Sequence, residues 1–209
     1  MNIANRRNII LNTVRVILLN ISQISESQKI IMSFLDEPDI DKADRFIKDE
    51  DRLLSLGGSY LIKKYAGGRK TVGAYGKPHS DKIFFNISHS ADLVGIALSE
   101  SGEVGLDLEK DEDYTEDVMR YCLSDEELGH LSECGFLQMF VSKESLVKAE
   151  GTGIPNDIKN VPALPLEGKV SFKGKNYYRH IIIKNGYRIS VTREGGDFET
   201  IMEEWYDIR

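Results

Sequence analysis

Three short apolar segments follow one another closely in the middle of the chain: Ile83–Ser88, Leu93–Leu98 and Val104–Glu109. Each has the length and aliphatic content of a β-strand, and turn residues such as Ser101-Gly102 separate them. Connections this short join antiparallel neighbours, because parallel strands need a longer crossover. The sequence therefore predicts a three-stranded antiparallel meander.

Helical and strand-like segments flank this region on both sides. The predicted strands are Thr13–Asn20, Gly168–Phe172, Tyr177–Ile183 and Tyr187–Thr192, and the predicted helices are Ser25–Leu35, about Asp39–Tyr65, Glu116–Tyr121 and Phe136–Glu150, with a capping box at Ser124. We predict an α+β fold of two similar halves, residues 13–103 and 104–209, after a lead-in of residues 1–12. The tail from Phe198 stays unassigned.

The composition excludes several classes of protein. A formal net charge of -7 over 209 residues argues against a general nucleic-acid binder, which needs clustered Lys and Arg. The two cysteines, Cys122 and Cys134, have no metal-ligand spacing and are typical of reduced thiols in the cytoplasm. No apolar run is long enough to span a bilayer, so we expect a cytoplasmic protein without a membrane partner.

The strand Val104–Glu109 has two carboxylates on one face. Because side chains alternate along a strand, Asp107 and Glu109 point to the side opposite Leu106 and Leu108. Two adjacent carboxylates repel each other unless a cation or a proton lies between them, and magnesium prefers such oxygen ligands. A solvated acidic face is the alternative interpretation.

The predicted helix Phe136–Glu150 has a carboxylate within its apolar stripe. Glu144 falls at helical spacing between Val141 and Val147, and Lys148 follows one turn later on the same side. A surface ion pair between Glu144 and Lys148 would explain this spacing. An inward carboxylate, in contrast, needs a partner such as a metal ion.

A third polar cluster, Asn86–Ser90, follows the apolar start of a predicted strand. We predict a turn here, which could present backbone N–H groups, a hydroxyl and the His89 imidazole to an anion. A structural or solvated histidine is the alternative.

Together these segments resemble the Sfp-type 4'-phosphopantetheinyl transferases. The family pattern F-N-I-S-H-S matches residues 85–90, G-[IL]-D-[IL]-E matches residues 105–109, and K-E-x-x-x-K-x-x-G-x-G matches residues 143–153. Upstream, Gly76-Lys77-Pro78 and the segment from Phe46 to Arg52 are similar to further family motifs. The family's usual tryptophan before the K-E pair is Phe140 here, which keeps an aromatic side chain.

The resemblance implies a pseudo-twofold fold with the active site between its halves, and it implies roles for individual residues. Magnesium would be held by Asp107, Glu109 and Glu144. Coenzyme A, the co-substrate, would be bound by Arg52, Lys77, Pro78, Ser88, His89 and Lys148. Glu144 and Lys148 would be the catalytic residues, with Glu144 as the candidate base.

The implied activity is that of a holo-[acyl-carrier-protein] synthase type of enzyme, a monomer that modifies an apo acyl, peptidyl or polyketide carrier protein. A serine hydroxyl of the carrier would attack the β-phosphorus of coenzyme A and release 3',5'-adenosine bisphosphate. The carrier would dock near Tyr114–Leu123, with Met119, Tyr121 and Leu123 as apolar candidates; ordinary core residues of a short helix are the alternative interpretation.

Two alternative functions stay open from the sequence. The string Asp107, Glu109, Lys110 also resembles metal-dependent nuclease sites, although it accounts for neither His89 nor Glu144. A non-catalytic protein that binds coenzyme A without transfer is the second alternative.

Overall fold

The computed structural model describes residues 12–67, 71–72, 77–153 and 157–204. The strands are β1 Thr13–Asn20, β2 Thr71–Val72, β3 Pro78–His79, β4 Phe84–Ser90, β5 Leu93–Ser99, β6 Val104–Lys110, β7 Gly168–Phe172, β8 Lys175–Lys184, β9 Tyr187–Glu194 and β10 Glu199–Glu204. The helices are α1 Ile21–Glu26, α2 Gln28–Phe34, α3 Glu37–Ala43, α4 Asp49–Tyr65, α5 Glu116–Cys122, α6 Asp125–Gly129, α7 Leu131–Cys134 and α8 Phe136–Glu150. A short 3-10 helix covers Ile158–Asn160.

Two four-stranded sheets organise the molecule, which confirms the α+β class. The first has the order β10-β1-β5-β4, and the second has the order β6-β9-β8-β7. All neighbours are antiparallel except β10, which pairs in parallel with β1. The C-terminal segment thus extends the N-terminal sheet, and the division of the chain into residues 13–103 and 104–209 stays a proposal.

The predicted three-stranded meander is wrong in its last strand. β4 and β5 form a hairpin, but the backbone of β6 pairs with β9, with Asp107 opposite Ser190. The short connection after β5 therefore crosses from one sheet to the other. Residues Asn86–Ser90, predicted as a turn, lie within β4. Strand pattern and loop length alone do not show which neighbour a strand will pair with.

Several helix boundaries also differ from the prediction. The segment predicted as one helix over Ser25–Leu35 forms α1 and α2, and Asn20 with Gln23 makes a capping box that starts α1 earlier. The longer helix predicted from about Asp39 is divided into α3 and α4. The bounds of α8 and the Ser124 capping box are confirmed. Within the described ranges, no helix has the length and apolar character needed to cross a bilayer.

Helix α8 packs unusually close to β6. A Cβ atom placed on Gly105 of β6 would lie 1.9 Å from the carbonyl oxygen of Ser145 and 2.4 Å from the backbone nitrogen of Ala149. Both obstacles are backbone atoms, so no side-chain rotation would relieve the contact. The glycine therefore sets the distance between the helix and the sheet.

We expect Gly105→Ala to lower the free energy of unfolding by about 2–3 kcal/mol, because α8 would have to move away from β6. Urea denaturation measures the change. Gly129→Ala is the matched control, since a Cβ at Gly129 meets nothing within 4 Å. It should not lower stability, and it could raise stability by up to about 1 kcal/mol, because alanine favours a helix more than glycine does. Equal stability of the two variants would contradict the close packing of α8 on β6.

Candidate active site

A row of hydrogen bonds joins β4 of the first sheet to β6 of the second. Asn86, Ser88 and Ser90 lie two residues apart on one face of β4. The Asn86 side chain accepts a hydrogen bond from the backbone N–H of Leu106 at 2.9 Å. Ser88 Oγ donates to Asp107 Oδ1 at 3.0 Å, and Ser90 Oγ donates to a carboxylate oxygen of Glu109 at 2.5 Å. The polar residues of the first motif therefore hold the two acidic residues of the second.

Asp107 is almost fully buried beside Lys148. The Lys148 ammonium lies 2.5 Å from Asp107 Oδ1 and donates to Ser88 Oγ at 3.0 Å. Burial raises the pKa of Asp107 above its ordinary value, and Lys148 opposes that rise. The second oxygen, Oδ2, is buried and has no hydrogen-bond partner among the described residues. A buried acceptor without a partner is costly, so this oxygen suits a further ligand.

Glu144 reaches the same place from α8. Its side chain is buried, at 8% exposure, and burial raises its pKa to about 7, with the negative charges of Asp107 and Glu109 adding to the effect. Burial likewise raises the pKa of Glu109, although its hydrogen bond from Ser90 opposes the rise. The three predicted metal ligands thus lie near enough to one another to repel.

The donor set of this cluster fits a hard divalent cation. Three carboxylates, one with an unpartnered oxygen, match the oxygen ligands that magnesium prefers. In the arrangement shown, no group of three Asp, Glu, His or Cys side chains among the described residues could hold a metal ion. Lys148 compensates the charge of Asp107 instead. The three predicted ligands therefore lie close together, but their side chains are not arranged to coordinate a metal ion in this structure.

The residues predicted to bind coenzyme A differ in their exposure and in the partners that their side chains contact. His89 is exposed on β4. Its pKa is lowered mainly by partial desolvation and next by the positive charge of Lys148, and the charge of Lys42 lowers it further. Arg52 lies at the start of α4 in an ion pair of 2.7 Å with Asp44. Both side chains could exchange their present surroundings for a phosphate.

Lys77 and Pro78 lie at the start of β3. The Lys77 ammonium is 2.6 Å from Glu103 and also donates to the carbonyl of Val104 at 3.2 Å. It would have to leave these partners to contact a nucleotide. Pro78 is half-buried. Gly76 of the same motif lies outside the described residues.

Two features beneath the site were missed from the sequence. Lys143 is fully buried and pairs with Glu127 of α6 at 2.7 Å. Ser145 forms hydrogen bonds of 2.7 Å with Ser190 and 2.8 Å with Thr192, all three being fully buried. The prediction of a single buried stripe on this helix therefore describes only part of its buried surface, because α8 is buried on most of its sides. The only signal in the sequence that could have identified Lys143 and Ser145 is that they are adjacent to Glu144.

The resemblance to 4'-phosphopantetheinyl transferases is supported by a comparison of the sequence with models of known protein families. Residues 103–192 match the family model described as the 4'-phosphopantetheinyl transferase superfamily. A search of curated proteins gives no match. The matched segment contains Asp107, Glu109, Glu144 and Lys148, whereas His89 and Arg52 lie before it. Residues 103–192 of this chain are therefore similar to the 4'-phosphopantetheinyl transferase superfamily.

Proposed function

We propose that the protein is an Sfp-type transferase, which moves the 4'-phosphopantetheine group of coenzyme A onto a serine of an apo carrier protein. The observation that supports this most is the convergence of Asp107, Glu109 and Glu144 from two elements beside Lys148. Phosphoryl transfer depends mainly on positioning and charge neutralisation, and this cluster offers both. The superfamily match supports phosphopantetheine transfer in general.

Asp107, Glu109 and Glu144 would hold Mg²⁺, which supplies positive charge beside the diphosphate. Lys148 would exchange its contact with Asp107 for a phosphate oxygen, since the cation would then compensate that carboxylate. His89 and Arg52 would bind the 3'-phosphate at the exposed side of the site, with Ser88 close to the diphosphate. Lys77 and Pro78 would border the adenine.

In the transfer step, the serine oxygen forms a bond to the β-phosphorus of coenzyme A and the bond to the 3',5'-adenosine bisphosphate breaks. The serine proton needs an acceptor. Glu144 is the candidate, because a carboxyl group with a pKa of about 7 can take up a proton near neutral pH. Binding of a cation competes with this role, since it favours the ionised form.

The carrier would dock on the outer face of α5, next to this site. A cavity of about 520 Å³ lies between the loop after β6 and the start of α8, and its lining includes Arg188, the register partner of Glu109. Of the apolar candidates in this segment, Tyr121 on α5 is 69% exposed, whereas Leu123, directly after the helix, is fully buried. Met119 packs partly into the core. Tyr121 is therefore the candidate contact that we retain.

Incubation with coenzyme A, MgCl₂ and a panel of apo carriers tests the proposal. We expect at least one carrier to gain the mass of one phosphopantetheine group, and chelation by EDTA to stop the gain. Binding of coenzyme A without any mass gain would point to the non-catalytic alternative. Cleavage of plasmid DNA in place of transfer would point to the nuclease. Either result would refute the transferase.

A further inference from the structure

A cluster of polar side chains lies behind Glu109, on the side away from α8. Tyr187 OH donates a hydrogen bond to Asp92 Oδ1 at 2.5 Å and accepts one from the Asp92 backbone N–H at 3.3 Å. Asn20 donates to the other Asp92 oxygen at 2.7 Å. These three residues border a cavity of about 330 Å³ between β1 and the β8–β9 hairpin. None of them belongs to the site described above.

Asp92 and Tyr187 come from opposite sheets, so their contact fixes the β4–β5 turn against β9. Lys110 strengthens this contact, because its ammonium lies 3.2 Å from Asp92 and 5.9 Å from the centre of the Tyr187 ring. The hydrogen bond from Tyr187 is the main reason why the pKa of Asp92 falls to about 2, so Asp92 is ionised at neutral pH. Ala91, within the turn, has a positive φ of 50°. Such a backbone persists only where its surroundings hold it.

Ser90 is the last residue of β4 before this turn. Its hydroxyl donates to Glu109 Oε2 at 2.5 Å and accepts from the Lys110 backbone N–H at 3.3 Å. One Glu109 oxygen therefore accepts a hydrogen bond from Ser90, which restrains the rotation of the carboxylate. The position of the turn consequently determines the orientation of Glu109.

We infer that Tyr187 and Asp92 are positioning residues, which hold the β4–β5 turn where Ser90 orients Glu109 for a divalent cation. The inference rests on the proposed function, because it takes Glu109 as a metal ligand. Groups that orient a ligand through a hydrogen bond typically change metal affinity by about 10- to 100-fold when they are removed.

The test measures Mn²⁺ binding by isothermal titration calorimetry, with and without coenzyme A, and compares it with transfer activity. Tyr187→Phe keeps the ring and removes the hydroxyl, and we expect about tenfold weaker Mn²⁺ binding. Ser90→Ala should weaken binding at least as much, and Ser90→Thr, which keeps a hydroxyl, should retain most of the affinity. The double variant Tyr187→Phe, Ser90→Ala should be no weaker than Ser90→Ala alone, because Tyr187 acts through Ser90.

Tyr177→Phe is the matched control. Tyr177 is a fully buried tyrosine of the same sheet, and its hydroxyl has no hydrogen-bond partner among the described residues. We expect this variant to bind Mn²⁺ like the wild type.

Unchanged Mn²⁺ binding by Tyr187→Phe, or additive losses in the double variant, would overturn the inference while leaving the proposed function intact if the wild type still modifies a carrier. Wild-type protein that neither binds Mn²⁺ nor modifies any carrier would overturn both.

Discussion

Glu144→Gln is expected to reduce transfer at least about a hundredfold and, in the absence of metal, to make the fold more stable at pH 8. The two effects have one cause. Glu144 is buried beside Asp107 and Glu109, which raises its pKa to about 7 from 4.5. The ionised side chain therefore opposes folding. The neutral amide of glutamine removes this opposition, and it also removes the carboxylate that we propose as metal ligand and base.

The sign of the pH dependence follows from proton binding. Between about pH 4.5 and pH 7 the folded protein holds a proton on Glu144 that the unfolded chain has released. The contribution of this group to stability therefore falls as the pH rises through that range, and the full loss is present above it. We expect the stabilisation by glutamine to be on the order of 2 kcal/mol at pH 8 and to vanish near pH 4.5.

Urea denaturation of the metal-free proteins at pH 4.5, 6 and 8, together with the carrier assay, measures both effects. Glu150→Gln is the control from the same helix. Glu150 pairs with Lys173 at 3.2 Å and accepts a hydrogen bond from Thr152, contacts that lower its pKa although burial opposes them. This variant should gain no stability at pH 8 and should retain transfer. A Glu144→Gln protein that keeps its activity, or one that is less stable at pH 8, would refute the role given to Glu144.

The acidic residues of the site could be predicted because their spacing has a direct geometric meaning. Asp107 and Glu109 lie two apart on a strand, and Glu144 and Lys148 lie four apart on a helix whose bounds were predicted correctly. Both periodicities are local properties of the chain. The same reasoning applied to Asn86, Ser88 and Ser90 would have indicated a strand with a polar face, but their polarity favoured a turn.

Contacts between distant segments could not be predicted in this way. The parallel pairing of β10 with β1 joins the two ends of the chain, and nothing in the tail specifies that neighbour. Gly105 illustrates the same limit, since a glycine within a strand indicates a close approach without saying which backbone approaches. Its meaning becomes clear only once α8 is seen to pack on β6.

The buried ion pair of Lys143 and Glu127 explains how α8 is held in the orientation that directs Glu144 to the site. The Lys143 ammonium contacts Glu127 at 2.7 Å and the carbonyl oxygens of Val161 at 2.7 Å and Ile158 at 3.2 Å. Burial lowers the pKa of Lys143, and Glu127 opposes that change. The side chain has no exposed surface, so it serves the fold and is not available to a substrate.

We expect Lys143→Met to lower the free energy of unfolding by about 3–5 kcal/mol, because it leaves the Glu127 carboxylate buried without its counter-charge. Adding Glu127→Gln to this variant should recover part of the loss. The amide oxygen can still accept from the backbone N–H of Ala163, now at 2.8 Å from Glu127, whereas the amide NH₂ cannot accept from the backbone N–H of Ser124 as the second carboxylate oxygen does. Urea denaturation of both variants measures this, with Lys159→Met as the control. Lys159 is exposed on the neighbouring 3-10 helix, and its replacement should cost less than about 0.5 kcal/mol. If the double variant is no more stable than Lys143→Met alone, the uncompensated charge of Glu127 is not the main cause of the loss, and the carbonyl oxygens of Val161 and Ile158 that lose their donor are the dominant contribution.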